Sequence, residues 1–281
     1  MESRLMLEFR ACPDSAATTL QVKEMSPPWK VVRGFPLAGG AASVHLNNVS
    51  GGILGGDNLS LKVHVHTSAR AQITSTGATR IYRCRAGAHP ARSAACIRVD
   101  DQGLLEFIPD PVIPFAGSRY IQRTQIHLGP GAGLFWWDIV TAGRTSAGER
   151  FAYDLFESHF EIVAGCRPIA LENFRIEPAR TPPCSPVRLH HFTHLANFYI
   201  CRQGVPPREW LHYEETLNAL AAELTRPGDM IWGATALASD GLVVRGLSNS
   251  GRNIPAALLG FWRAAKQMLY GQDPVVPRKI Y

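Results

Sequence analysis

Apolar residues recur at every second position along much of the first half of this chain. Leu61-Lys-Val-His-Val-His66, Ala71-Gln-Ile-Thr-Ser-Thr76 and Arg119-Tyr-Ile-Gln-Arg-Thr-Gln-Ile-His127 all alternate with period two. The pleat of a strand sends neighbours to opposite faces, so this pattern builds half-buried strands and gives no stripe on a helix. Residues 1–10 alternate in the same way. Residues 95–100 run into a turn at Gln102-Gly103, 129–133 mark another turn, and 150–163 alternate over a long strand or a strand pair. The 25 glycines and 20 prolines supply many turns between such short strands. The expectation is a mainly β fold of stacked sheets, either antiparallel or in a β-helix-like, solenoid arrangement.

Two α-helices are predicted in the C-terminal half. Pro206-Pro207 open the first, Tyr213, Leu217, Leu220 and Leu224 recur at helical spacing, and Pro227-Gly228 end it. The second runs from about 253 to 270. Pro255 sits in its first turn, Leu258, Phe261, Trp262, Ala265 and Leu269 form its stripe, and Gly271 is placed to cap its end. The tail, 273–281, is extended and proline-rich. No repeat, low-complexity linker or charge block divides the chain, so residues 1–281 are read as a single domain.

The formal charge is +6, but the basic residues are scattered and arginine dominates. No Lys/Arg stripe with interleaved aromatics forms, which argues against nucleic acid as a partner. The most apolar mid-chain run, 133–140, is too short to span a bilayer and is interrupted by Asp138. The first residues read as a strand rather than a signal peptide. Six cysteines stand at irregular spacing without a C-x-x-C. They are expected as reduced, mostly buried thiols of a cytoplasmic protein.

Four islands carry the unusual residues: 51–57, 77–83, 105–111 and 143–151. In the first, Gly51, Gly52, Gly55 and Gly56 surround Ile53 and Leu54 and precede Asp57. A phosphate loop needs Lys and Ser/Thr after its last glycine, and an acid there repels phosphate. The local reading is a pair of tight turns or bulges with positive φ; the functional reading is a turn that places a carboxylate. Asp138 follows Leu134-Phe-Trp-Trp137 and precedes Ile139-Val140. An ionised carboxylate in such a run costs several kcal/mol unless paired or hydrated. Either a nearby arginine such as Arg144 pairs with it, or it faces an internal water-filled passage. Glu172 poses the same question less strongly.

The histidines offer a different chemistry. His190-His191-Phe-Thr-His194 places His190 and His194 on one face of either a helix or a strand, as metal ligands can be placed. No Cys or carboxylate follows at zinc spacing, and no fixed metal site is predicted there. His64 and His66 share a strand face and are similarly weak candidates. No H-E-x-x-H, G-x-S-x-G or dinucleotide fingerprint is present, and no catalytic residue is assigned. A metal-dependent hydrolase using His190, His194 and a carboxylate remains the alternative. A binding platform from Trp136 and Trp137 ranks lower, because both look like core.

Taken in order, the islands resemble the UreD (UreH) family of urease accessory proteins. The resemblance rests on 48–57; on 77–83, which ends in Arg83; on Leu105-Glu-Phe-Ile-Pro109; on Trp137-Asp138 with Gly143-Arg144 and Gly148-Glu149; and on Arg245-Gly-Leu, the Trp262 helix and 277–281. Residues 174–240 match least. The resemblance implies a mainly β fold of helix-like stacked sheets with two helices, and a maturation factor rather than an enzyme. It implies direct binding to UreF, a bridge through UreF to the GTPase UreG, and docking on urease apoprotein. Ni²⁺ would pass transiently through an internal tunnel, with no permanently bound cofactor. By the same resemblance the polar tunnel positions fall on Asp57, Thr79, Asp138 and Glu172. Gly51, Gly52, Gly55, Gly56, Arg83 and Arg144 belong to the structural motif.

Overall fold

A computed structural model describes residues 1–277. The C-terminal signature at 278–281, Tyr281 included, lies outside the described residues.

The chain opens with β1 (Glu2–Ala11) and β2 (Thr18–Met25), then the short β3 (Trp29–Lys30) and β4 (Phe35–Pro36), then β5 (Ala42–Asn48). Next come β6 (Asn58–Val65), β7 (Arg70–Ser75), β8 (Thr79–Ile81), β9 (Ala91–Val99), β10 (Leu104–Phe107) and β11 (Val112–Pro114). The longer β12 (Arg119–Leu128), β13 (Gly133–Thr141), β14 (Leu155–Ala164), β15 (Arg167–Ile176) and β16 (His194–Arg202) follow. The end of the chain is α1 (Pro207–Leu224), β17 (Met230–Ala236), β18 (Gly241–Ser248) and α2 (Asn253–Tyr270).

These strands form two sheets. The first has the order β15-β14-β12-β9-β6-β1-β2; the second runs β17-β18-β16-β13-β10-β7-β5-β3. From β5 to β14 the chain passes back and forth between them. Successive passes through one sheet therefore run in the same direction, and β6, β9, β12 and β14 pair in parallel, as do β5, β7, β10 and β13. This overturns the antiparallel alternative for the centre of both sheets. Antiparallel pairing is confined to the flanks, where hairpins join β1 to β2 and β14 to β15, and where β16, β18 and β17 extend the second sheet. A short third ladder, also parallel, links Ile53 to Ile81, β8 to β11, and β11 to β13 at Val112 and Val140.

The alternation seen in the sequence follows from this layering. The first sheet has one wet face, so Leu59, Leu61, Val63 and Val65 point inward while Lys62 points out. The second sheet is covered on both faces, by the first sheet and by the helices. β13 accordingly reads as a near-continuous apolar run, broken only by Asp138, rather than an alternating one. One core fills the space between the sheets and includes Phe9, Val44, Ile97, Leu105, Trp136 and Tyr199. A second core lies under the helices, where Phe135, Phe198 and Trp232 meet Leu258, Phe261 and Trp262.

Both helices form where expected. α1 begins at Pro207, a residue whose missing N–H costs nothing in the first turn. It buries Leu217, with Tyr213, Leu220 and Leu224 packed partly buried beside it, and adds Trp210. α2 buries its whole predicted stripe and ends on Gly271, whose φ of 62° suits a left-handed cap. The long strand or strand pair expected over 150–163 is a single strand that begins only at Leu155, after Phe151, at φ 51°, turns the chain. The thiols are free as expected but not mostly buried: only Cys201 is buried, while Cys96, Cys166 and Cys184 are exposed. No helix among the described residues is long and apolar enough to cross a membrane.

Candidate functional site

The space between the sheets is not filled throughout. Near the β8 and β10 ends it widens into a cavity of about 360 Å³. Phe107 and Trp136 form part of its wall, stacked with ring centroids 4.0 Å apart. Its polar lining includes Ser75, Thr79, Asp110, Tyr120 and Asp138. Exposed Thr76, Gly77 and Arg80 also border it, so one end reaches the surface. A space of this size with several polar groups on its wall has room for water molecules.

Asp138 sits on β13 and faces this space, because β13 directs alternate residues to the first sheet and to the helices. Its carboxylate accepts a hydrogen bond from Trp136 Nε1 at 2.9 Å. Among the described residues no cationic side chain pairs with it. The expected partner Arg144 is engaged elsewhere: its guanidinium forks onto Glu149 and lies over the Phe115 ring. Burial pushes the Asp138 carboxyl up to about 6; the Trp136 bond opposes this, and the charge of Glu172 adds to it. Burial likewise pushes the nearby Tyr120 hydroxyl up to about 12, although Ser93 bonds it at 2.5 Å.

Asp138 also lines a much smaller space of about 10 Å³, shared with Glu172, Ser158, Asn197 and Tyr199. Glu172 accepts from the Tyr199 hydroxyl and from Arg245 at 3.2 Å. Neither partner was found in the sequence, because both lie on strands remote from Glu172 in the chain. Asn197 stands directly opposite Asp138 across the β13–β16 ladder, and its buried Oδ1 has no partner among the described residues.

The four tunnel positions implied by the resemblance therefore fall in three settings. Thr79 and Asp138 share the large cavity. Glu172 joins Asp138 through the small one, but is held by an arginine. Asp57 lines neither: it is buried at the end of the glycine turn, accepting from Leu54 N–H at 2.9 Å and standing 3.3 Å from the Met1 amino nitrogen.

The glycine cluster itself is a packing device. Gly51 and Gly56 take positive φ, as a pair of turns requires. Gly52 is needed for space: a Cβ there would come within 2.6 Å of the Arg80 carbonyl oxygen and 2.5 Å of the Tyr82 ring. The turn thereby presses Gly51, Gly52 and Ile53 against the cavity wall. Arg83 is exposed beyond β8, against Gly117.

Within the histidine cluster His190 and His191 meet through their Nδ1 atoms, but His190 and His194 join no three-ligand group among the described residues. His190 lies in a loop at φ 50°, His191 contacts the Gly228 carbonyl, and His194 begins β16 beside Thr193. Burial holds His194 below the ordinary imidazole range. No carboxylate joins His190 and His194 among the described residues, which leaves the hydrolase alternative without a site. A different trio does converge, on the outer face of the first sheet: His64, His66 and Asp100. The sequence marked the two histidines but not the acid, which only the parallel register of β6 and β9 brings alongside.

Comparison with known proteins gives one answer. Residues 1–280 match the family described as "UreD urease accessory protein". A urease accessory protein UreD of Herpetosiphon aurantiacus is 43% identical over 281 residues, covering 100% of this chain and 97% of that protein. One of Sorangium cellulosum is 33% identical over 236 residues, covering 83% of this chain and 70% of its own length. A third, of Pseudomonas fluorescens, is 33% identical over 230 residues, covering 81% and 76%.

Proposed function

Since this chain belongs to the UreD family of urease accessory proteins, we propose that it serves urease maturation as a non-enzymatic scaffold through which Ni²⁺ passes. The observation that carries this reading is Asp138: a carboxylate in a cavity of mixed polar and apolar lining, with no cationic partner among the described residues. Nickel is the cargo here, not a resident cofactor. A hydrated divalent ion needs oxygen groups that bind briefly and release, and a closed tetrahedral cage would trap it. Thr79 and Asp138 offer such groups within one space, and Glu172 stands across a second space with room for at most about one water. The regular passage of the chain from one sheet to the other and to the third ladder supports a solenoid-like winding, which leaves room along its axis.

The partners in this reading are UreF by direct contact, the GTPase UreG through UreF, and urease apoprotein, in the cytoplasm. Two experiments test it together. Co-expressed UreF should be retained by the tagged chain. Asp138→Asn and Thr79→Val should each cut urease activation while UreF retention is unchanged. Full activation by both variants removes the cavity from the nickel path; failure to retain UreF removes the scaffold role.

A further inference from the structure

Three strands of the first sheet bring metal-binding chemistry to one point on its outer face, away from the cavity between the sheets. β6 carries His64 and ends just before His66; β9 ends just before Asp100; β1 carries Glu8. The register is fixed by the backbone. His64 stands opposite Arg98 on β9 and Glu8 on β1, and the Asp100 N–H donates to the Val65 carbonyl at 2.8 Å. One ligand atom from each of His64, His66 and Asp100 lies within 4.8 Å of the others.

The orientation of each group matters more than its proximity. Asp100 Oδ2 is 2.7 Å from His64 Nε2 and 3.9 Å from His66 Nδ1. Its other oxygen, Oδ1, is held by Arg98 Nε at 2.6 Å. One carboxylate oxygen is thus anchored and the other points between two imidazoles. His66 turns its second nitrogen, Nε2, toward Glu8 Oε2 at 3.5 Å. That nitrogen is sealed from solvent and makes no hydrogen bond among the described residues. A carboxylate behind a ligating imidazole fixes its tautomer and raises its basicity. Glu8 is itself held by Arg10 at 2.8 Å.

We propose that His64 Nε2, His66 Nδ1 and Asp100 Oδ2 form a binding site for a divalent transition-metal ion, with Glu8 orienting His66. Two imidazoles and one carboxylate select borderline ions such as Ni²⁺ or Zn²⁺ over Mg²⁺ and Ca²⁺, which prefer oxygen alone. Ligands bound at about 2.0–2.1 Å stand roughly 2.9–3.4 Å apart. The two carboxylate–imidazole separations, 2.7 and 3.9 Å, bracket that range, and the two imidazole rings lie side by side with centroids 3.8 Å apart. Water completes the coordination on the open side. The site does not rest on the nickel passage proposed above.

The test is calorimetric titration of the metal-stripped full chain with NiCl₂ and, separately, with ZnSO₄. Wild type should bind one more ion per chain than the His64→Gln/His66→Gln double variant. Glu8→Gln should weaken that ion by about tenfold or more, and Asp138→Asn should leave it in place. X-ray absorption of the wild-type complex, which needs no variant, should show two imidazole ligands. Equal stoichiometry in wild type and the double variant, or a spectrum without imidazole, overturns the site. Loss of the ion in Asp138→Asn alone would assign it to the cavity and overturn the site as well.

Discussion

Glu106 and Asp138 stand on neighbouring strands of the second sheet and face opposite layers. Glu106, on β10, points toward the helices and is 2% exposed. There it meets Lys266 Nζ at 2.7 Å and Trp262 Nε1 at 3.1 Å, both from α2. Asp138, on β13, points toward the first sheet and meets one indole N–H and open space. Both acids interrupt apolar runs; Glu106 is buried, whereas Asp138 is half-buried at a cavity that opens to the surface. The difference lies in what compensates the charge. A buried acid with a fixed cation ties a helix to a sheet; a half-buried acid without one keeps its affinity for a cation that arrives. Glu172, held by Arg245 at the rim of the small space, stands between these extremes.

The largest effect should come from breaking the compensated acid. Lys266→Met leaves Glu106 buried and uncompensated, which costs about 3–5 kcal/mol of stability. Urea denaturation should show the loss, and a Glu106→Gln/Lys266→Met double variant should recover much of it. If the single variant unfolds at the wild-type midpoint, Glu106 is not held by its lysine and the contrast with Asp138 disappears.

Asp138 should respond in the opposite sense. Its carboxyl ionises near 6 in the folded chain, above the ordinary 3.8, so the folded state binds the proton more tightly than the unfolded one. The resulting penalty is absent below 3.8, grows through the interval, and is complete above about 6. Moving a carboxyl that far corresponds to about 3 kcal/mol. Asp138→Asn removes the charge and keeps an acceptor for Trp136. The variant should therefore be more stable than wild type at pH 8, by up to about 3 kcal/mol, and nearly equal at pH 4. Denaturation at the two pH values checks this; no gain at pH 8 means the wild-type charge is already compensated.

The two acids also differ in how far the sequence betrayed them. Asp138 was legible because four apolar residues precede it and two follow. Glu106 sits in a comparable run, Leu104 to Ile108, and Lys266 interrupts the apolar stripe of α2 four residues after Trp262. Both signals were there, but joining them needs a contact across 160 positions, which no local pattern supplies. The strands of the first sheet were read well, since one wet face imposes alternation. Their parallel pairing was not, because alternation is identical in parallel and antiparallel sheets. For the same reason Asp100 could not be placed beside His64 and His66, nor Tyr199 and Arg245 beside Glu172.

The smallest effect tests whether the intermediate case communicates with the open one. The charge on Glu172 raises the Asp138 carboxyl, after burial, across the small space they share. Glu172→Gln removes that charge and retains an oxygen for the Tyr199 hydroxyl and for Arg245. The Asp138 midpoint should then fall below 6 by a fraction of a pH unit, while burial keeps it above 3.8. Carboxyl-carbon NMR titration of wild type and variant, with Asp138→Asn to assign the signal, measures this directly. An unmoved midpoint would mean that Arg245 already cancels Glu172 at that distance. The line of acids would then end at Asp138, and an ion leaving the cavity toward β15 would meet a guanidinium rather than a second open carboxylate.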